Sequence, residues 1–116
     1  MAAQQETVTA TVNEVRLVGR VSQQPEERVL PSGDAVWTFR VVVARDRATA
    51  RQQVDALECA AWSPRAQRSV RAWGAGDVVE VTGALRRRFF RSGAGAASRC
   101  EVEMTGGRII RRAATS

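Results

Sequence analysis

Arginines and aromatic residues alternate at the end of one stretch, Gly76 to Phe90, which reads GDVVEVTGALRRRFF. Arginine neutralises phosphate, and an aromatic face can stack on a base. In an extended chain successive side chains point to opposite faces. Arg86, Arg88 and Phe90 then share one face, and Arg87 and Phe89 share the other. The residues before them carry a different message. Val79, Val81, Gly83 and Leu85 fall at every second position, the spacing of a strand with one face in a core. Val78, Glu80 and Thr82 point the opposite way. Gly83 lies inside this strand, where a missing side chain marks a bend or a close backbone approach. A core strand therefore continues into a basic, aromatic arm. An exposed hairpin with solvated arginines fits the same residues.

The rest of the composition narrows the chemistry. The chain has no histidine, which removes Ser-His-Asp and Cys-His catalysis. Cys59 and Cys100 are too few for a zinc site, and neither has metal-ligand spacing. The 12 acidic residues are scattered without a paired motif. The glycine-rich SGAGAAS lacks the lysine and the following helix of a phosphate-binding loop. No catalytic residue, metal or cofactor is expected. The net charge is +6, and all 18 basic residues are arginine. That surplus favours polyanionic partners, and the planar guanidinium can also stack. No apolar run is long enough to span a bilayer. The opening MAAQQETVTA lacks the basic-then-apolar layout of a secretory signal. The sequence points to a reducing cytoplasm, with Cys59 and Cys100 as free, packed thiols.

The elements that must position the arm follow in order. In NEVRLVGRVS, Val15, Leu17, Gly19 and Val21 form one face of a first strand. QQPEER is a polar break, with Val29-Leu30 a possible short edge. Pro31-Ser32-Gly33-Asp34 is a turn signal. A second strand, AVWTFRVVVAR, puts Trp37, Phe39, Val41 and Val43 on one face and Val36, Thr38, Arg40 and Val42 on the other. Asp46 to Gln53 reads as a loop. A third strand covers about Asp55 to Trp62, with Leu57, Cys59 and Ala61 inward and Ala56, Glu58, Ala60 and Trp62 outward. Ser63 reads as an N-cap, Pro64 as the first helical residue, and Ala66, Val70 and Trp73 as an apolar stripe. Gly74 reads as the C-terminal cap. The Gly76–Phe90 strand follows, then a flexible tip from Ser92 to Ser98. A last strand runs from Arg99 to about Met104, broken by Gly106-Gly107.

Five short strands with one helix between the third and the fourth predict an all-β fold: a five-stranded oligonucleotide-binding barrel. In such barrels the helix plugs one end, and the ligand lies across strands two and three.

These pieces resemble the bacterial single-stranded DNA-binding proteins. The resemblance rests on NEVRLVGRVSQQPEERVLPSGDAVWTFRVVVAR, the CAAW segment, and GDVVEVTGALRRRFF followed by a glycine-rich hairpin. It covers about residues 12 to 110, leaving 1–11 as a polar leader and 111–116 as a short basic and polar end. It implies a homotetramer or dimer that binds single-stranded DNA with little regard to sequence and without catalysis. Trp62 and Phe90 stand at family aromatic positions, and Arg86 and Arg88 match the basic positions before Phe90. Two further family aromatic positions hold Arg47 and Ala56, so stacking is reduced there; Arg47 could substitute by planar stacking or phosphate contact. Trp37 stands where the family has a small residue, and its face suits a core or subunit contact. The expected site is therefore Trp62 and Phe90 on bases, with Arg40, Arg47, Arg86, Arg88 and Arg91 along the phosphates. Longer members carry a tail with an acidic tip that recruits other proteins. This chain stops with arginines and AATS, so tail-mediated recruitment is not expected. The alternative is a protein-interaction barrel, an accessory or primosome-type replication subunit with weak DNA binding.

Overall fold

The computed structural model describes residues 10–46 and 53–114. Its elements are β1 (Val15–Val21), β2 (Glu26–Val29), β3 (Ala35–Ala44), β4 (Val54–Ala61), α1 (Pro64–Arg71), β5 (Val78–Ser92) and β6 (Gly95–Arg111). Five of the strands form a ring in the order β1-β5-β6-β4-β3, closed by pairing of β3 back onto β1. All pairings are antiparallel except β4 with β6. Closure removes most sheet edges, and this is the expected five-stranded oligonucleotide-binding barrel. β2 stands outside the ring. It and β1 share one edge of β3: β2 takes Ala35 to Thr38, and β1 takes Val41 and Val42.

Alternation puts Val21, Phe39, Val41, Cys59, Ala61, Val79, Val81, Val102 and Met104 inside the barrel. α1 seals one end with Ala66, Val70 and the following Trp73, whose ring meets Phe39 edge-on at 5.5 Å. The helix starts where the sequence says it should. Ser63 Oγ accepts from the Ala66 amide at 3.1 Å, and Pro64 occupies the first turn. It ends at Ala72 rather than at Gly74, whose amide donates instead to Asp77 Oδ2.

Gly19 in β1 and Gly83 in β5 mark close backbone approaches. A Cβ on Gly19 would run into the Val42 carbonyl, and one on Gly83 into the Glu103 carbonyl. The ladder between β5 and β6 also slips at Thr82/Gly83. The extra residue, Thr105, is on β6, so β5 keeps its alternation, with Gly83 opposite Met104 and Leu85 opposite Val102. Leu85 keeps the inward parity yet is 49% exposed, because it lies past Gly83, the last β5 residue that pairs with β1. Other expectations shift as well. β2 begins inside the QQPEER break and ends at Val29, in the expected Val29-Leu30 edge, and its four residues are all exposed and so carry no buried pattern. β6 runs through Gly106 and Gly107 without breaking. The long tip contracts to a turn at Gly93 and Ala94, flanked by the pair Ser92 and Gly95. Ala60 points outward as expected, yet it is buried, because other groups cover it.

Two polar fastenings hold the ends of this frame. Asn13 exchanges two hydrogen bonds with the Leu85 backbone, each 2.8 Å. Asp77 accepts from the Ala113 amide at 2.8 Å, the Gly74 amide at 2.9 Å and Arg112 at 3.1 Å. These bonds, with the Ala113 amide leading, hold the Asp77 carboxyl below the usual aspartate range against the opposing effect of burial.

Candidate nucleic-acid interface

The outward faces of β3 and β4 and one face of the β5–β6 hairpin enclose a hollow of about 330 Å³. Its floor is apolar: Leu30, Val36 and Ala60. Its walls are Arg28, Trp62, Arg88 and Phe90, with Thr38, Arg99 and Glu101 completing it. Trp62 arrives here because it follows the last residue of β4 on the outward parity. Its backbone is fixed by α1: the buried Gln67 side chain donates to the carbonyls of Ala35 (2.9 Å), Trp62 (3.1 Å) and Ala61 (3.2 Å). Arg88 and Phe90 arrive because the hairpin extends past the barrel and folds its even-numbered face over the groove. The ladder sets Arg86 opposite Glu101, Arg88 opposite Arg99 and Phe90 opposite Ala97.

Most of the site's arginines have carboxylate partners. Arg86 Nε donates to Glu103 at 2.8 Å, and Arg88 Nε to Glu101 at 3.1 Å. Arg40 Nε donates to Glu58, its direct cross-strand partner, at 2.7 Å. Arg40 and Glu58 line a smaller hollow of about 160 Å³, which meets the first at Thr38. The Arg88 guanidinium lies over the Trp62 ring at 5.4 Å, and that of Arg99 over the Phe90 ring at 5.7 Å. Such cation–π contacts also stabilise an aromatic surface in water. On the far side of the barrel Glu80 lies between Arg108 and Arg16. Those two hydrogen bonds, Arg108's first, hold its carboxyl below the usual range.

The fold therefore brings together Trp62, Phe90 and Arg88, with Arg86 and Arg40 alongside. Arg91 faces the other way: it sits opposite Ala96 on the face shared by Leu85, Arg87 and Phe89. Arg47 lies outside the described residues. Ala56 is exposed on β4. Trp37 lies on the inward face, packed against the core rather than in the groove. The sequence reading missed Arg28, Val36, Arg99 and Glu101 as groove-lining residues. Folding the hairpin about Gly93 and Ala94 would have found the last two, since that fold sets the charged run Arg99–Glu103 against Arg86 and Arg88.

The side chains gathered here can stack, donate hydrogen bonds and pair charges. Burial, aided by the charges of Glu58 and Glu101, pushes the Cys59 thiol up to about 12. It is therefore an inert packing group at neutral pH. Among the described residues no cluster of His, Cys, Asp and Glu is arranged to hold a metal. No helix among them is long and apolar enough to cross a membrane.

Residues 12–108 match the sequence pattern of the single-strand binding protein family. The chain is 30% identical over 83 residues to single-stranded DNA-binding protein 1 of Lactococcus lactis, covering 70% of this chain and 55% of that protein. It is 31% identical over 83 residues to single-stranded DNA-binding protein A of Bacillus subtilis, covering 70% and 48%. A single-stranded DNA-binding protein of Bacillus cereus is 35% identical over 83 residues, covering 68% and 48%. The chain spans about half the length of these relatives. With the match extending from just before β1 almost to the end of β6, the chain belongs to the single-strand binding protein family.

Proposed function

We propose that this chain binds single-stranded DNA with little regard to sequence and acts as a binding protein rather than an enzyme, protecting the strand during replication, recombination or repair. The observation that carries this reading is the hollow between Trp62 and Phe90. It presents two rings and an apolar floor inside a rim of arginines. Aromatic faces accept any base, and arginines follow the phosphates. Trp62 and Phe90 take bases. Arg40, Arg86 and Arg88 take phosphates on the groove side, and Arg47 and Arg91 are further phosphate contacts for a strand that leaves the groove. Residues 12–110 form the binding domain. The cytoplasm, beside the nucleoid, is the compartment in which such a protein meets its ligand.

Assembly into a dimer or tetramer belongs to the same reading. β1 pairs β5 from Val15 to Arg20 but meets β3 only at Arg20 and Val21. Its other edge is open along Val15 to Gly19 among the described residues, and open edges favour pairing with another copy.

A second reading, an accessory protein-interaction barrel with weak DNA binding, is favoured by one observation: Arg40, Arg86 and Arg88 are all engaged by glutamates. Titration of a long oligothymidine at two salt concentrations separates the two. Tight binding that falls steeply with salt supports strand binding. Little binding even in low salt supports the accessory reading.

A further inference from the structure

The two rings assigned to bases are not bare. The guanidinium carbon of Arg88 lies 5.4 Å from the centre of the Trp62 ring, and that of Arg99 lies 5.7 Å from the centre of Phe90. Both arginines lean on one carboxylate. Glu101 Oε2 accepts from Arg88 Nε at 3.1 Å, and Glu101 Oε1 lies 3.8 Å from Arg99 Nε. The Glu101 side chain is only 8% exposed, while those of Arg88 and Arg99 are 39% and 55% exposed. A covered carboxylate needs its cations, so it holds them in place. A guanidinium lying over a ring occupies space that a stacking base needs. A phosphate would compete with Glu101 for the same donors.

We infer that Glu101 is a positioning residue that parks Arg88 on Trp62 and Arg99 on Phe90. Strand binding is then an exchange: bases replace guanidinium groups on the two rings, and phosphates replace Glu101 as the arginines' partners. This rests on the strand-binding reading above. In the free protein Glu101 opposes binding, because its one negative charge, shared by Arg88 and Arg99, offsets part of their attraction for phosphate. The same offset mutes the salt dependence that those arginines would otherwise contribute.

The test compares the wild-type chain with Glu101→Gln and Glu80→Gln, using a long fluorescein-labelled oligothymidine at several salt concentrations. Glu80 pairs with Arg16 and Arg108, which the strand-binding reading does not use, so its variant removes the same charge without touching the parked arginines. Glu101→Gln is expected to bind roughly fivefold or more tighter than Glu80→Gln at low salt. Its log–log salt slope should be steeper by roughly 0.7 for each arginine released, about 1.4 at most. Glu101→Asp, which keeps the carboxylate, should return toward wild type. Glu101→Gln binding no tighter than Glu80→Gln overturns the inference. If circular dichroism shows that Glu101→Gln does not fold, Arg99→Lys gives the answer. It keeps the charge but loses the flat group on Phe90, and tighter binding is expected. Unchanged or weaker binding by Arg99→Lys contradicts the parking role. Absence of binding by the wild type rejects the strand-binding reading itself, and this inference with it.

Discussion

The two faces of the β5–β6 hairpin are written in nearly the same residues, one position apart. The groove face carries Arg86, Arg88 and Phe90; the reverse face carries Leu85, Arg87, Phe89 and Arg91. What separates them is what each one meets. Across the groove face stand Glu101 and Arg99 on β6, with Glu103 engaging Arg86, and the outward side of β4 supplies Ala60 and Trp62. Across the reverse face stand Cys100, Ser98 and Ala96. Phe90 is 45% exposed against the hollow, while Phe89 is 77% exposed. Among the described residues, Arg87's side-chain partner is the Ser98 hydroxyl, at 3.2 Å. Composition therefore does not define a binding face. On the strand-binding reading, a second aromatic within stacking reach, an apolar floor and a fixed arrangement of arginines do, and among the described residues they stand together on the groove side of the hairpin.

The largest effect should come from the residue that exists on one side alone. Trp62→Ala removes a stacking platform from the groove and should weaken oligothymidine binding by about 1–3 kcal/mol, roughly 5- to 150-fold. Trp62→Phe should recover part of the loss. If Trp62→Ala binds as well as the wild type, the hollow is not where the strand lies. A smaller effect should distinguish the arginines. The double change Arg86→Ala with Arg88→Ala should lower affinity several-fold and flatten the log–log salt slope by up to about 1.4. Arg87→Ala with Arg91→Ala should cost less on short oligonucleotides that fill only the groove. Equal losses from the two pairs would mean that the strand tracks both faces alike.

The smallest effect concerns the frame rather than the faces. Asp77 fastens the segment after β6, and its folded-state pKa is lowered. A lowered carboxyl pKa adds stability above the unfolded value, near about 3.9, and that stability is lost as pH falls through the folded value. Asp77→Asn should therefore have a lower Tm than the wild type at neutral pH. The gap should narrow as pH drops below about 4, followed by thermal melts across that range. Groove affinity at neutral pH should hardly change. A gap that widens toward acid would contradict the role given to Asp77.

Much of this was legible in the sequence where the physics is local. Alternation located β1, β3 and β4, because each has one face in the core. Ser63 and Pro64 announced α1, because capping is decided within one turn. The internal Gly19 and Gly83 signalled close backbone approaches. Where alternation fails, so did the reading. β2 buries no face. Leu85 keeps its inward parity but lies past Gly83, where β1 stops pairing with β5, so its strand pattern overstates its burial. The site was half legible for the same reason. Trp62, Arg88 and Phe90 follow from parity within single strands. Arg28, Arg99 and Glu101 enter through pairing between strands, which a single strand's pattern does not contain. Arg91 lies on the parity opposite that of Arg88, opposite Ala96.

The most direct test of the difference between the faces is a pair of single substitutions, Phe90→Ala and Phe89→Ala, titrated side by side with oligothymidine. Both remove one phenyl ring from the same hairpin and leave its charge unchanged. The groove-face account predicts that Phe90→Ala weakens binding by about tenfold, at the lower end of one lost stack, with an unchanged salt slope, while Phe89→Ala stays within about twofold. Equal losses, or a larger loss from Phe89→Ala, would contradict it.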